Sequence, residues 1–150
     1  MTPPAGLVVL DTNVLVHLAR GKAAGRKLDS DYGLSTAVQR PIISVTTVGE
    51  CLSLAKQFNW GSAKINLLLG LFKQLVVADI NDSNVLDAYA SIDFATRTSG
   101  NKMAKNDLWI AAVAVAAGAW VLTTDKDFLP LDPDFLKVEW VDPTSLPRGA

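Results

Sequence analysis

Short apolar runs recur along this chain, and three of the four lead straight into a stretch with helical spacing. LVVL (7–10) runs into TNVLVHLAR, where Val14, Leu15 and Leu18 share one face. IISV (42–45) runs into TTVGECLSLAKQF, and VVADI (76–80) into NDSNVLDAYASIDFATRT, which opens on the helix-starting Asn81 and Asp82. The fourth, AWVLTT (119–124), follows the helix NDLWIAAVAVAAG, which Gly118 ends. Runs this short and this evenly apolar suit strands covered on both faces. Alternating with helices, they predict an α/β fold with a mainly parallel sheet. SAKINLLLGLFKQL adds a helix and KVEWV a last short strand, SGNKMAK reads as a loop, and residues 20–41, with Gly21, Gly25, Gly33 and Pro41, read as less regular.

The 150 residues are expected to form one domain spanning 1–150, with no repeat or linker inside it. A net charge of −1 means that any nucleic acid would have to be held by a local basic patch. Cys51 is the only cysteine, which excludes an internal disulfide and fits a reducing compartment. With His17 as the only histidine, a zinc site built on Cys and His ligands is not expected either. MTPPAGLVVL has no secretory pattern, and IAAVAVAAGAWVL is too short for a bilayer. A cytoplasmic protein without a membrane partner is expected.

Four acids fall at element junctions. Asp11 follows the first strand, Glu50 lies early in the helix after the second, Asp107 opens the helix NDLWIAA, and Asp125 follows the fourth strand. Each has a plain local explanation. Asp11 can cap a helix, TVGE (47–50) fits a capping box, Asp107 behind an Asn106 cap suits a helix dipole, and Asp125 suits a turn. Together they mean more, because ligands of parallel α/β sheets collect beyond the strands' carboxyl ends. If those ends share an edge, the carboxylates converge and repel, and a cation removes the conflict. Oxygen-only ligands select hard ions, Mg²⁺ or Mn²⁺. Such a cluster, with no dependence on His or Cys, points to metal-assisted phosphodiester hydrolysis.

LDTNVLV (10–16), ISVTTVGE (43–50), NDLWIAA (106–112) and LTTDKDF (122–128) resemble, in order, the signature segments of PIN-domain proteins, and within them of VapC-type toxin ribonucleases. The resemblance runs from about Leu7 to Phe128. It implies a three-layer α/β/α sandwich with a central, mainly parallel sheet. It also implies Mg²⁺- or Mn²⁺-dependent endoribonuclease activity as the toxin of a type II toxin–antitoxin pair, leaving a 5′-phosphate and a 3′-hydroxyl. Asp11, Glu50, Asp107 and Asp125 match the acidic, metal-holding catalytic positions, with Asp127 as the alternative fourth acid. Thr12 and Thr124 match polar positions that help to orient the site. A homodimer and a cognate antitoxin are the implied partners, besides RNA.

Basic residues Arg20, Lys22, Arg26 and Lys27 form one candidate phosphate clamp, and Arg97, Lys102 and Lys105, ahead of Asp107, another. Both can equally be solvated surface. His17 is the sole histidine available as a general base, and Cys51 reads as a small buried apolar residue. Trp109 and Trp120 read as core, and Phe58 and Trp60 as partly exposed interface residues. The helices across 46–75 hold more large apolar residues than one core-facing stripe needs, and a groove there could take an amphipathic antitoxin segment. Two other readings are a PIN-like RNA- or protein-binding module without activity, and a phosphotransferase with Asp11 as nucleophile. The second wants an acid two residues on, where Asn13 stands.

Overall fold

The computed structural model describes residues 3–149. Its element order is β1 (Val8–Leu10), α1 (Thr12–Arg20), α2 (Ala23–Tyr32), β2 (Ile42–Ser44), α3 (Val45–Gln57), α4 (Ser62–Lys73), β3 (Val76–Ala78), α5 (Ser83–Thr98), α6 (Lys105–Ala117), β4 (Trp120–Thr123) and β5 (Val138–Trp140), with short 3₁₀ turns at Lys126–Leu131 and Pro143–Ser145. All four strand pairings are parallel, in the order β3-β2-β1-β4-β5. The α/β expectation therefore holds, and helices cover both faces of the sheet.

Strand alternation divides the core into two layers. Val9, Ile42, Val121 and Val138 face one side, where α5 and α6 pack. Val8, Leu10, Ile43, Trp120 and Leu122 face the other, against α1 to α4. Helix α6 is apolar nearly all round, and Leu108 and Ile110–Ala114 are buried, as expected of a helix laid over the centre of a sheet. Edge strand β3 is the exception, with Val76 and Val77 exposed.

Three local readings change. The stretch expected to be irregular contains α2, and its glycines punctuate helices rather than break them. Gly21 and Gly33 are left-handed caps ending α1 and α2 (φ 63° and 61°). Gly25 lies inside α2, where a Cβ would stand 2.3 Å from the His17 carbonyl oxygen, so its bare backbone lets α2 cross α1 closely. The capping box at Thr47–Glu50 is not formed, because α3 starts three residues earlier on Ser44, whose Oγ accepts the Thr46 N–H at 3.2 Å. Likewise α6 begins at Lys105 behind Ala104, so Asn106 is not its cap.

Candidate active site

Strand β1 delivers Asp11 to the carboxyl edge of the sheet. Its backbone N–H still donates to the Leu122 carbonyl (3.0 Å), which extends the β1–β4 ladder one residue and fixes the main chain there. Its Oδ1 accepts the Thr12 N–H at 2.7 Å, and its Oδ2 accepts the Thr123 hydroxyl at 2.7 Å. Asp11 is thus the helix cap its sequence suggests, and it is 4% exposed. Burial pushes its pKa up to about 6, against the pull of those two hydrogen bonds, and Asp125 and Glu50 add to the rise.

The other acids arrive from three elements. Asp107 stands in the first turn of α6, and Asp125 caps the turn after β4 by accepting the Asp127 N–H at 2.9 Å. Asp107, Asp125 and Asp127 each bring a carboxylate oxygen within 4.8 Å of the others. Burial raises the Asp107 pKa to about 7, and the fields of Asp11, Asp125, Asp127 and Glu50 raise it further. Both candidates for the fourth acid, Asp125 and Asp127, therefore lie in the same cluster. Glu50, half-buried on α3, stands beside it and accepts the Thr12 hydroxyl at 3.2 Å.

Among the sequence candidates, Thr12 lies at this edge, linking to Glu50 and at 3.3 Å to Thr47. The hydroxyl that joins two of the acids is that of Thr123, which donates to Asp11 Oδ2 and accepts the Asp125 N–H at 2.9 Å. Thr124 instead offers its carbonyl to the Trp140 indole N–H (3.1 Å). Sequence reasoning passed over Thr123 because TT offers two hydroxyls, and only the inward-facing strand position can reach back to β1. Trp140 was missed altogether. It pins the acid turn, and its ring lies under the Lys126 ammonium (5.0 Å), which draws that cation aside from the two acids flanking it in sequence.

The basic candidates divide. Lys27 pairs with Asp31 (2.7 Å), Arg97 with Asp93 (2.9 Å), and Arg26 donates to the Gly21 carbonyl. Lys102 and Lys105 are exposed, and Lys105 is the first residue of α6, two before Asp107. Arg20 and Lys22 line a cavity beyond the far end of α1, with His17. His17 is accordingly not among the acids. Cys51 is buried, and its thiol is pushed up to about 12 by burial and then by Glu50 and Asp11. Trp120 is buried against Tyr32, whereas Trp109 is half-buried and packs its ring 4.1 Å from that of Tyr89.

The donor set fits a hard divalent cation. Its groups are all carboxylate oxygens, those of Asp107, Asp125 and Asp127 within 4.8 Å of one another, and burial, reinforced by the neighbouring acids, drives Asp11 and Asp107 toward protonation without a counter-charge. A parallel sheet with carboxylates gathered at its carboxyl edge defines a class of α/β domains built to hold a cation against an anionic substrate. The chain matches the PIN domain family over residues 8–132 and belongs to it. It is 28% identical over 135 residues to Ribonuclease VapC5 of Mycobacterium tuberculosis, covering 87% of this chain and 90% of that protein.

Similar folds occur in VapBC2 from Rickettsia felis, bound to a DNA fragment from its promoter (TM-score 0.76, 19% identity, covering 91% of this chain and 100% of that one). DNA-bound VapBC from Salmonella typhimurium is also similar (TM-score 0.72, 21% identity, 88% and 96% covered). So is VapBC-5 from M. tuberculosis (TM-score 0.64, 24% identity, 90% and 98% covered). No helix among the described residues is long and apolar enough to cross a membrane.

Proposed function

We propose that this chain is a Mg²⁺- or Mn²⁺-dependent endoribonuclease acting as the toxin of a toxin–antitoxin pair. The observation that carries this reading is the cluster of Asp107, Asp125 and Asp127 beside the buried, doubly hydrogen-bonded Asp11. Membership of the PIN family and the likeness to a VapC ribonuclease and to VapBC complexes support the activity and an antitoxin partner. Asp11, Asp107 and Asp125 would hold the ion, with Glu50 and Asp127 completing its surroundings. The ion supplies Lewis-acid stabilisation of phosphoryl oxygens and a lowered pKa for water.

The chain's own part is positional. Thr123 and the Thr12 N–H fix both oxygens of Asp11, so neither must reorganise when substrate arrives. Thr12 steers Glu50 toward the same edge. Apolar β1 and α6 exclude water beneath the cluster and so strengthen its electrostatics. Lys105, two residues before Asp107 at the start of α6, and exposed Lys102 in the loop ahead of it are suited to phosphate contacts. Exposed Leu52, Leu67 and Leu69 on α3 and α4 suit the amphipathic segment of an antitoxin or a second copy of the chain. One domain over residues 1–150, working in the cytoplasm, is the simplest setting for these parts.

The test is induction of the wild type and Asp11→Asn in a bacterial host, with end-mapping of RNA. New 5′-phosphate ends are expected with the wild type only. Equal cleavage by the folded Asp11→Asn protein would sink the assignment. A folded wild type that never cleaves would leave a binding module.

A further inference from the structure

Beyond the far end of α1 from Asp11 lies a cavity of about 540 Å³, between the end of α1, the start of α2, the α3–α4 junction and the C-terminal segment. Four cations line it, Arg20, Lys22, Lys64 and Arg148, together with His17, and among the described residues no acidic side chain does. The full chain carries a net charge of −1, so this is a local concentration of positive charge on a protein that has none to spare. Two of the cations are held in place. Arg20 lies 5.4 Å from the centre of the Phe58 ring, and the Lys64 ammonium 5.5 Å from that of Trp60. Each ring thus has one face turned to a cation, although Phe58 is still 52% exposed. Arg26 and Lys27, neighbours in sequence, are engaged elsewhere and do not line the cavity.

We infer that this cavity is a second RNA-backbone site, remote from the bond being cut. The inference rests on the ribonuclease reading given above and adds to it a substrate requirement. Eight residues of α1 separate Thr12 from Arg20, roughly 12 Å along the helix axis. One phosphate therefore cannot serve both places, and an RNA spanning several phosphates is needed. A peptide partner fits less well. An amphipathic segment would leave the four cations uncompensated, whereas a phosphate backbone can pair with all of them. The consequence is length selectivity: long RNA gains affinity at the cavity, and a short oligonucleotide at the acids gains none.

The test compares wild type with Lys22→Gln/Lys64→Gln/Arg148→Gln, and with Lys56→Gln on exposed α3 as a charge control. Anisotropy is read without divalent metal on a labelled single-stranded RNA of about 20 nucleotides, longer than typical single-domain sites. The triple variant is expected to bind about tenfold or more weakly. Its salt slope in log Kd should fall by about 2, the value for three single-strand phosphate contacts. With Mg²⁺, it should cleave a dinucleotide, too short to span that distance, at the wild-type rate and the long RNA with a raised KM. Unchanged affinity and slope would overturn the inference. So would unchanged RNA binding with weakened binding of the antitoxin, which would make the cavity a protein site. Should the triple variant not fold, Lys22→Glu, at an exposed position, carries the same test. Because binding is read without metal, a wild type that never cleaves would defeat the ribonuclease reading and leave this measurement standing.

Discussion

Thr123 ties two acids together through one hydroxyl, donating to Asp11 Oδ2 and accepting the Asp125 N–H. It is fully buried and Asp11 nearly so, and removing the hydroxyl takes from the Asp11 carboxylate a donor that water does not readily replace. Thr123→Val is nearly isosteric, and the expected loss is about 2 kcal/mol of stability, measured by urea unfolding. Among the influences on Asp11, the Thr123 hydrogen bond is the largest that lowers its pKa. Its removal should carry that pKa above about 6 and move the acidic limb of the cleavage pH profile upward, while Thr123→Ser restores it. An unshifted limb in a folded Thr123→Val protein would reduce Thr123 to a packing residue. At this scale the sequence was partly legible. Asp11 could be read as both cap and ligand because both need a carboxylate at a strand's end. The choice between Thr123 and Thr124 depends on which side of β4 each faces, and that is fixed only by the register Leu10↔Leu122.

Helix α2 marks where reading by element ran out. AAGRKLDSDY offers Leu28 and Tyr32 as its large buried residues, which is too sparse a stripe for periodicity to register. Gly25 in its middle argues against a helix on propensity alone, by about 1 kcal/mol relative to alanine. Tertiary packing overrides that preference, since only a hydrogen atom fits against the His17 carbonyl. Gly25→Ala therefore sets two effects against each other. The propensity gain of about 1 kcal/mol opposes a steric overlap with rigid backbone, for which overpacking costs of 1–3 kcal/mol or more are usual, roughly. A Cβ at 2.3 Å from an oxygen belongs at the upper end, so net destabilisation of about 2 kcal/mol is expected in urea unfolding. A stabilised variant would mean that α1 and α2 separate easily. By contrast, β1, β2, β4 and α6 were legible because their apolar runs are covered on both sides and carry no competing signal.

Across the whole molecule, the strand order turns at β1, with β2 on one side and β4 on the other. Asp11 therefore stands at the crevice where the crossovers diverge, the place where parallel sheets bind ligands. Convergence of the acids followed from that topology, whereas their burial and coupling did not, because these depend on how deeply α6 seats Asp107. Burial first, and then the coupling, makes stability depend on pH with a definite sign. The raised pKa values of Asp11 (about 6) and Asp107 (about 7) mean that the folded chain binds protons more tightly than the unfolded one. Their contribution is full below about pH 4 and is lost as pH rises through 6 to 7. His17, lowered chiefly by burial, works in the opposite sense below its ordinary value of 6.5, and Asp142, lowered by Thr144, acts only below about 4. The difference between wild type and Asp107→Asn isolates the acid term. Without metal, Asp107→Asn should melt above wild type at about pH 7.5 and approach it at about pH 5. Adding Mn²⁺ should raise the wild-type Tm more at the higher pH, where protons no longer compete, and raise that of Asp107→Asn much less. If the metal-free wild type were instead the more stable protein at pH 7.5, the carboxylates would not be in conflict, and the case for a cation at this edge would lose its physical basis.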